Sequence, residues 1–199
     1  MGEHYFSKTQ SSSYEPFLIT IRPKGQDPFE LYSASGVFSL KHLDKGSEVL
    51  IRYSQISPDS FVLDLGCGYG VVGISVYKKV SPLNIVFVDS SERAVKLTKK
   101  NLTLHKIKAK VKQSNIFSNI DDLSFDVILT NPPYSAGRDV CKQFVTESFA
   151  HLNKEGSLQL VCRRQKGGDF FESFMKDIFG NVEVIGQKSG FRVYKSIKY

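Results

Sequence analysis

The 199-residue sequence has no apolar run approaching the roughly 20 residues that span a bilayer, so no membrane-crossing helix is expected. Its first thirteen residues are polar and lack an apolar h-region, so no secretory signal is expected either. Cysteine is scarce. Cys67, Cys141 and Cys162 lack metal-ligand spacing, and an odd, scattered set suggests reduced thiols in a cytoplasmic protein. The four histidines are isolated, so no metal centre is expected. There is no internal repeat, and no linker after residue 36.

A chain of this length with 41% hydrophobic residues can bury one good core. The formal net charge is +7, and the basic residues recur between 78 and 112 and at Arg163, Arg164 and Lys166. The lysines of the helix expected over residues 92–105 are read as a solvated face. Net basicity supports a polyanionic partner without proving one.

Residues 1–14 have no apolar periodicity and are expected to be mobile. Phe17-Leu18-Ile19-Thr20-Ile21 and Phe29-Glu30-Leu31-Tyr32-Ser33 flank a Pro-Gly-rich turn, which predicts a β-hairpin extension over residues 15–40. Ser47 is the candidate N-cap of a helix running through Ile51 to Ser54. From residue 61 to 199 strand and helix alternate. Strands are expected over 61–63, 84–89, 109–112, 125–130 and 157–162, and helices over 92–105, 138–152 and 169–179. Two last strands, 182–185 and 191–194, flank the hairpin signal Ser189-Gly190. This alternation gives an α/β, doubly wound sheet with right-handed crossovers and one antiparallel edge.

The stretch Val62-Leu63-Asp64-Leu65-Gly66-Cys67-Gly68-Tyr69-Gly70 joins a buried strand to a helix. Glycines let a ligand approach the backbone, and a helix start presents N–H groups. Gly68 to Gly73 also fits the dinucleotide G-x-G-x-x-G pattern, and a plain strand–helix turn is a competing reading. Asp64, expected where the strand surfaces, would repel a pyrophosphate. It suits a cationic cofactor such as S-adenosylmethionine. Asp89 ends the next strand, 25 residues on, where a carboxylate accepts ribose hydroxyls. Ser90 beside it is a further cofactor candidate and, with Ser91, a competing helix cap. Phe38, upstream of the cofactor strand, could cover the cofactor or simply pack in the core.

Asn131-Pro132-Pro133-Tyr134 follows another buried strand. Two prolines stiffen the turn, so the Asn131 side chain and the Pro132 carbonyl stand as fixed acceptors. An exocyclic amine that donates both N–H bonds to them is aimed at the cofactor methyl, a matter of positioning and preorganisation. Tyr134, with Pro133 beside it, could stack on a flat acceptor. Arg163, Arg164 and Lys166 follow the fifth strand and are candidates for phosphate contact, or a solvated basic loop. Asp126 is read as structural.

The segment from Asp64 to Gly70 resembles motif I of the class I S-adenosylmethionine-dependent methyltransferases, and Asn131 to Tyr134 resembles motif IV of their nitrogen-methylating branch. Gly36-Val37-Phe38-Ser39 and Asp44-Lys45-Gly46-Ser47 resemble the segment before motif I in small-subunit ribosomal-RNA guanine-N2 methyltransferases of the methyltransferase small domain family. Residues 179–183 and 189–193 resemble archaeal single-domain members. The resemblance covers about residues 16–199. It implies a Rossmann-like seven-stranded sheet with an antiparallel C-terminal hairpin, in a domain over residues 41–199. It also implies S-adenosylmethionine bound by Phe38, Asp64, Gly66, Cys67, Gly68, Asp89, Ser90, Asn115, Ile116 and Asn131. Asn115 stands where the family often has Asp on the adenine amino group, and Ile116 and Phe117 are expected to pack on the adenine. The expected activity is methyl transfer to an exocyclic base amine in RNA, with guanine N2 of ribosomal RNA or a pre-ribosomal particle favoured. Adenine N6, protein glutamine N5, a non-catalytic RNA-binding module and NAD-dependent oxidoreduction are the alternatives. Whether the protein is a monomer or a homodimer is left open.

Overall fold

The structure is a computed structural model and describes residues 14–37 and 42–199, apart from the side chain of Lys166. Phe38 and almost all of the segment expected to be mobile, residues 1–14, lie outside the described residues. The described chain opens with β1 (Phe17–Ile21) and β2 (Phe29–Ser33), an antiparallel hairpin that forms a sheet of its own. Ile19, Ile21 and Leu31 alternate inward, as a half-buried strand requires, and join the core beneath it.

Next come α1 (Lys45–Tyr53), β3 (Phe61–Leu65), α2 (Val71–Lys79), β4 (Asn84–Asp89), α3 (Glu92–Leu104), β5 (Lys110–Gln113) and β6 (Phe125–Thr130). The chain ends with α4 (Arg138–Ala150), β7 (Leu152–Arg163), α5 (Gly168–Phe179), β8 (Glu183–Lys188) and β9 (Phe191–Ile197). The second sheet has seven strands in the order β5-β4-β3-β6-β7-β9-β8. All pairs are parallel except those made by β9, which runs antiparallel to β7 and to β8. Strands apolar on both faces are buried only between two helical layers. The hairpin and α1 to α3 cover one face, and α4 and α5 the other, each over its own apolar cluster. Between β8 and β9, Ser189 and Gly190 both have positive φ (52° and 80°), the turn that matches strand twist.

Strand order reverses at β3, with β4 on one side and β6 on the other. The loops after β3 and β6 therefore part at the carboxyl edge and leave a crevice, where ligands of open α/β sheets bind.

Three expectations need correction. Ser47 is not the cap of α1. Asp44 is the N-cap, its carboxylate accepting the Ser47 N–H at 3.0 Å, because α1 begins at Lys45 and Ser47 already lies inside its first turn. Asp64 does not sit where β3 surfaces: the strand runs on to Leu65 and Asp64 is 2% exposed. Leu152 does not end α4 but begins β7, pairing with Phe125 across from the start of β6. Asp126 is structural, accepting from the Phe61 N–H at 2.8 Å and from the Asn153 amide at 2.8 Å.

Asn101, buried in α3, ties the hairpin to the main body. Its Oδ1 accepts from the Tyr32 N–H at 2.6 Å, and its Nδ2 donates to the Tyr32 carbonyl at 3.0 Å and to the Tyr69 carbonyl at 2.8 Å. The edge of β2 and the loop after β3 thus share one side chain.

Candidate active site

At the carboxyl edge the loops after β3, β4, β5 and β6 surround a cavity of about 640 Å³ with the start of α1 and of β9. That size suits a nucleoside-sized ligand.

The bend after β3 is closed by hydrogen bonds within the protein. The Gly66 and Cys67 N–H groups both donate to the Val88 carbonyl (2.8 and 2.9 Å), Gly68 N–H to Asp89 Oδ2 (2.9 Å) and Gly70 N–H to the Cys67 carbonyl (2.8 Å). Four N–H groups that a phosphate loop would turn outward are engaged. The bend is therefore a poor cradle for a pyrophosphate, contrary to what the dinucleotide-like spacing suggests. At Gly73, inside α2, a Cβ would stand 2.2 Å from the Phe87 ring and 2.9 Å from Asp64 Oδ2. Only glycine lets α2 press this closely on β3 and β4.

That close approach also fixes Asp64. Its Oδ2 accepts the Gly73 N–H at 2.8 Å. Burial pushes its carboxyl up to about 7, with the neighbouring Asp89 charge adding to the rise and the Gly73 bond opposing it. Asp89 is also raised, mainly by burial, although its two oxygens accept from Gly68 and Ser91 N–H at 2.9 Å each. Ser91, not Asp89, caps α3. Two carboxyl groups on one wall, both resisting ionisation, are suited to a ligand that brings positive charge. Cys67 is buried and its thiol is held well above its ordinary value by burial, so it is inert.

On the facing side, Asn131 directly follows β6. Its Nδ2 lies 3.3 Å from Asp44 Oδ1 and 3.3 Å from Ser47 Oγ. Asp44 offers only acceptors, so the atom facing it is the amide nitrogen, and Oδ1 remains as an acceptor on a residue lining the cavity. Pro132 and Pro133 line the same wall. Tyr134 opens a short 3₁₀ turn, its hydroxyl donating to the Val161 carbonyl and its ring meeting Phe171 edge to face at 5.7 Å. The turn after β6 is thereby pinned to β7.

The cavity wall brings together Asp64, Gly66, Cys67, Gly68, Asp89, Ser90, Asn115, Ile116, Asn131, Pro132, Pro133, Tyr134 and Arg163. Arg163 lies over the Phe191 ring at 5.2 Å. Arg164 is exposed and off this wall, its N–H donating to the Gly190 carbonyl at 3.0 Å, and the Lys166 side chain is outside the described part. Phe117 is not on the wall: it is buried and stacks on His151 at 4.1 Å. Ile116 has φ +54°, rare for a β-branched residue, and is 7% exposed. Such a strained backbone position marks functional sites. Among the wall residues that the sequence does not mark as site residues are Asp44, Ser47, Tyr69 and Phe191. The capping spacing Asp44-x-x-Ser47 was the available signal for the first two. Nothing local announces Phe191, which begins β9, the strand next to the edge, and packs against Gly46 of α1.

A parallel sheet of this order, with an antiparallel strand inserted next to its edge and the crevice beside its central strand, is the class I methyltransferase architecture. The methyltransferase small domain model matches residues 28–195, and the chain belongs to that family. YbxB of Bacillus subtilis (strain 168) is 35% identical over the whole length of both chains. Ribosomal RNA small subunit methyltransferase C of Haemophilus influenzae (strain PittEE) is 32% identical over 97% of this chain and 59% of its own length. The 16S rRNA N2 G1207 methyltransferase RsmC of T. thermophilus, solved with AdoMet and guanosine, superposes with a TM-score of 0.82 at 25% identity. That match covers 95% of this chain and 52% of the Thermus one, so the chain spans a little over half the length of these two relatives.

Proposed function

We propose that this protein is an S-adenosylmethionine-dependent N-methyltransferase acting on an exocyclic base amine of RNA, with guanine N2 of small-subunit ribosomal RNA as the target. The observation that carries this reading is the Asn131 amide: its nitrogen is engaged by Asp44 and Ser47, which leaves its oxygen as the acceptor on a residue that lines the same cavity as Asp64 and Asp89. The name of the Haemophilus relative supports small-subunit ribosomal RNA as the substrate, and that of the Thermus relative supports guanine N2 within it.

S-adenosylmethionine supplies a methyl group already activated on a sulfonium, so no strong base is needed. Asp64 and the bend from Gly66 to Gly68 hold its cationic end, Asp89 and Ser90 its ribose, and Asn115 and Ile116 its adenine. Asn131 Oδ1 and the Pro132 carbonyl accept the two N–H bonds of the target amine and point its lone pair toward the methyl. Pro133 and Tyr134 bear on the base plane, and Arg163 on a phosphate. The proton the nitrogen releases passes to solvent.

Calorimetry with S-adenosylmethionine tests the donor, and no binding ends this reading. Labelled-methyl transfer, followed by nucleoside mass spectrometry, tests the acceptor. N2-methylguanosine in ribosomal RNA is expected, whereas label in N6-methyladenosine or in protein moves the activity to the corresponding alternative.

A further inference from the structure

The excess positive charge of this protein is gathered in one stretch. Residues 77–113 carry nine lysines and one arginine against Asp89 and Glu92, a net of +8 where the whole chain has +7. The rest of the molecule is therefore close to neutral, at −1.

The fold spreads this stretch over one edge. Most of it comprises the outer face of α3, the loop from α3 and the edge strand β5, while Lys79, in the last turn of α2, turns to the Ile51 and Arg52 carbonyls of α1. Lys96, Lys99 and Lys100 share one stripe of α3 and are exposed, as are Lys106 and Lys108 in the loop. Lys96 pairs with Glu92 at 2.7 Å, but both side chains are more than half exposed, so little of the field is neutralised. Aromatic rings of the hairpin lie among these cations: the Lys100 ammonium is 3.8 Å from the Tyr32 ring centre and the Lys78 ammonium 5.0 Å from that of Phe29. Leu18, the cross-strand partner of Tyr32, is 46% exposed. The helix α3 starts at the cavity, which Ser90 and Ala94 line, and its lysine stripe runs from there toward the opposite edge of the sheet, where Lys106 and Lys108 precede β5.

Lysines on an edge strand also keep it from pairing with other sheets, which is reason enough for Lys110 and Lys112. It gives no reason for the stripe on α3 or for the loop. A one-signed surface with interleaved rings, on the helix that starts at a site for a single nucleotide, matches the chemistry of a polyanion with stacking faces.

We propose that this edge, formed by the outer face of α3, the loop to β5 and the outer side of the hairpin, docks the RNA that flanks the target nucleotide. It holds the flanking phosphates while the base enters the cavity. The proposal rests on the reading of the substrate as RNA.

The test compares two triple variants of the full chain, each taking the net charge from +7 to +1. One is K99E/K106E/K108E on the edge. The other is K142E/K154E/K176E, at exposed positions elsewhere. Binding of a labelled, transcribed fragment of small-subunit ribosomal RNA is measured against salt, and S-adenosylmethionine binding by calorimetry. The edge triple is expected to bind RNA at least about tenfold more weakly, with a salt slope lower by about two to three, while the control changes by less than about threefold. Both are expected to bind S-adenosylmethionine as the parent does, which shows that they fold. Equal weakening of both triples would mean that net charge alone acts, and would overturn the proposal. Unchanged RNA binding by the edge triple would overturn it while leaving the substrate reading intact. A parent protein that binds S-adenosylmethionine but no RNA would remove both.

Discussion

Asn131 is an acceptor by virtue of what surrounds it. An amide can present its oxygen or its nitrogen, and the choice is made by Asp44 and Ser47, 87 and 84 residues earlier in the chain. Asn131→Ala is expected to lower kcat by about 10²–10³-fold with little change in S-adenosylmethionine affinity, measured by single-turnover transfer and calorimetry. Asp44→Ala is expected to lower kcat about tenfold or more by freeing the amide to turn, while the donor Kd holds. Asp64 gives a pH signature. Its carboxyl sits near 7 in the fold against 3.8 ordinarily, so the unfolded chain ionises it first. Its contribution to stability is full below about pH 4 and is lost as pH rises toward 7. Apo protein should therefore melt at lower temperature across that window, and Asp64→Asn should flatten the fall. A cationic ligand favours the ionised form, so S-adenosylmethionine affinity is expected to rise with pH up to about 7 and level off above it. Asp89, shifted the same way, keeps part of that slope in Asp64→Asn.

At the scale of elements, the glycine bend and the Asn-Pro-Pro-Tyr turn were legible because each is local: a few adjacent residues fix the backbone and name the chemistry. β4 and β6 are legible to the residue because each has an unbroken apolar run, Ile85 to Val88 and Val127 to Leu129, flanked by polar residues. The N-terminus of α1 was misread because Asp44 and Ser47 are both good caps, and choosing between them takes geometry. β7 was read too short because its first residues, Leu152 to Glu155, look like helix end and turn. Gly73 carries a prediction at this scale. Alanine there drives a methyl into Phe87 and Asp64, and should cost about 1–3 kcal/mol of stability or more, read as a lowered denaturant midpoint. Asn101→Ala leaves the Tyr32 and Tyr69 backbone groups without their partner. Hydrogen exchange should quicken at Tyr32, and the melting temperature should fall, each unmet buried group costing about 1–3 kcal/mol.

For the whole molecule, period and order sufficed to give a doubly wound sheet, since alternating strands and helices leave few ways to bury both faces. What periodicity could not give was which surface the charge occupies. That follows from the place of β5 at the sheet edge and of α3 beside it, both settled by long-range pairing. Asp44 joins the scales. One oxygen of its carboxylate closes the first turn of α1 and also turns the Asn131 amide. Helix integrity and the aim of the acceptor cannot drift apart in such an arrangement. Taking that oxygen away loosens the helix start and the amide in one stroke, so residues 44 and 131 answer to a single atom.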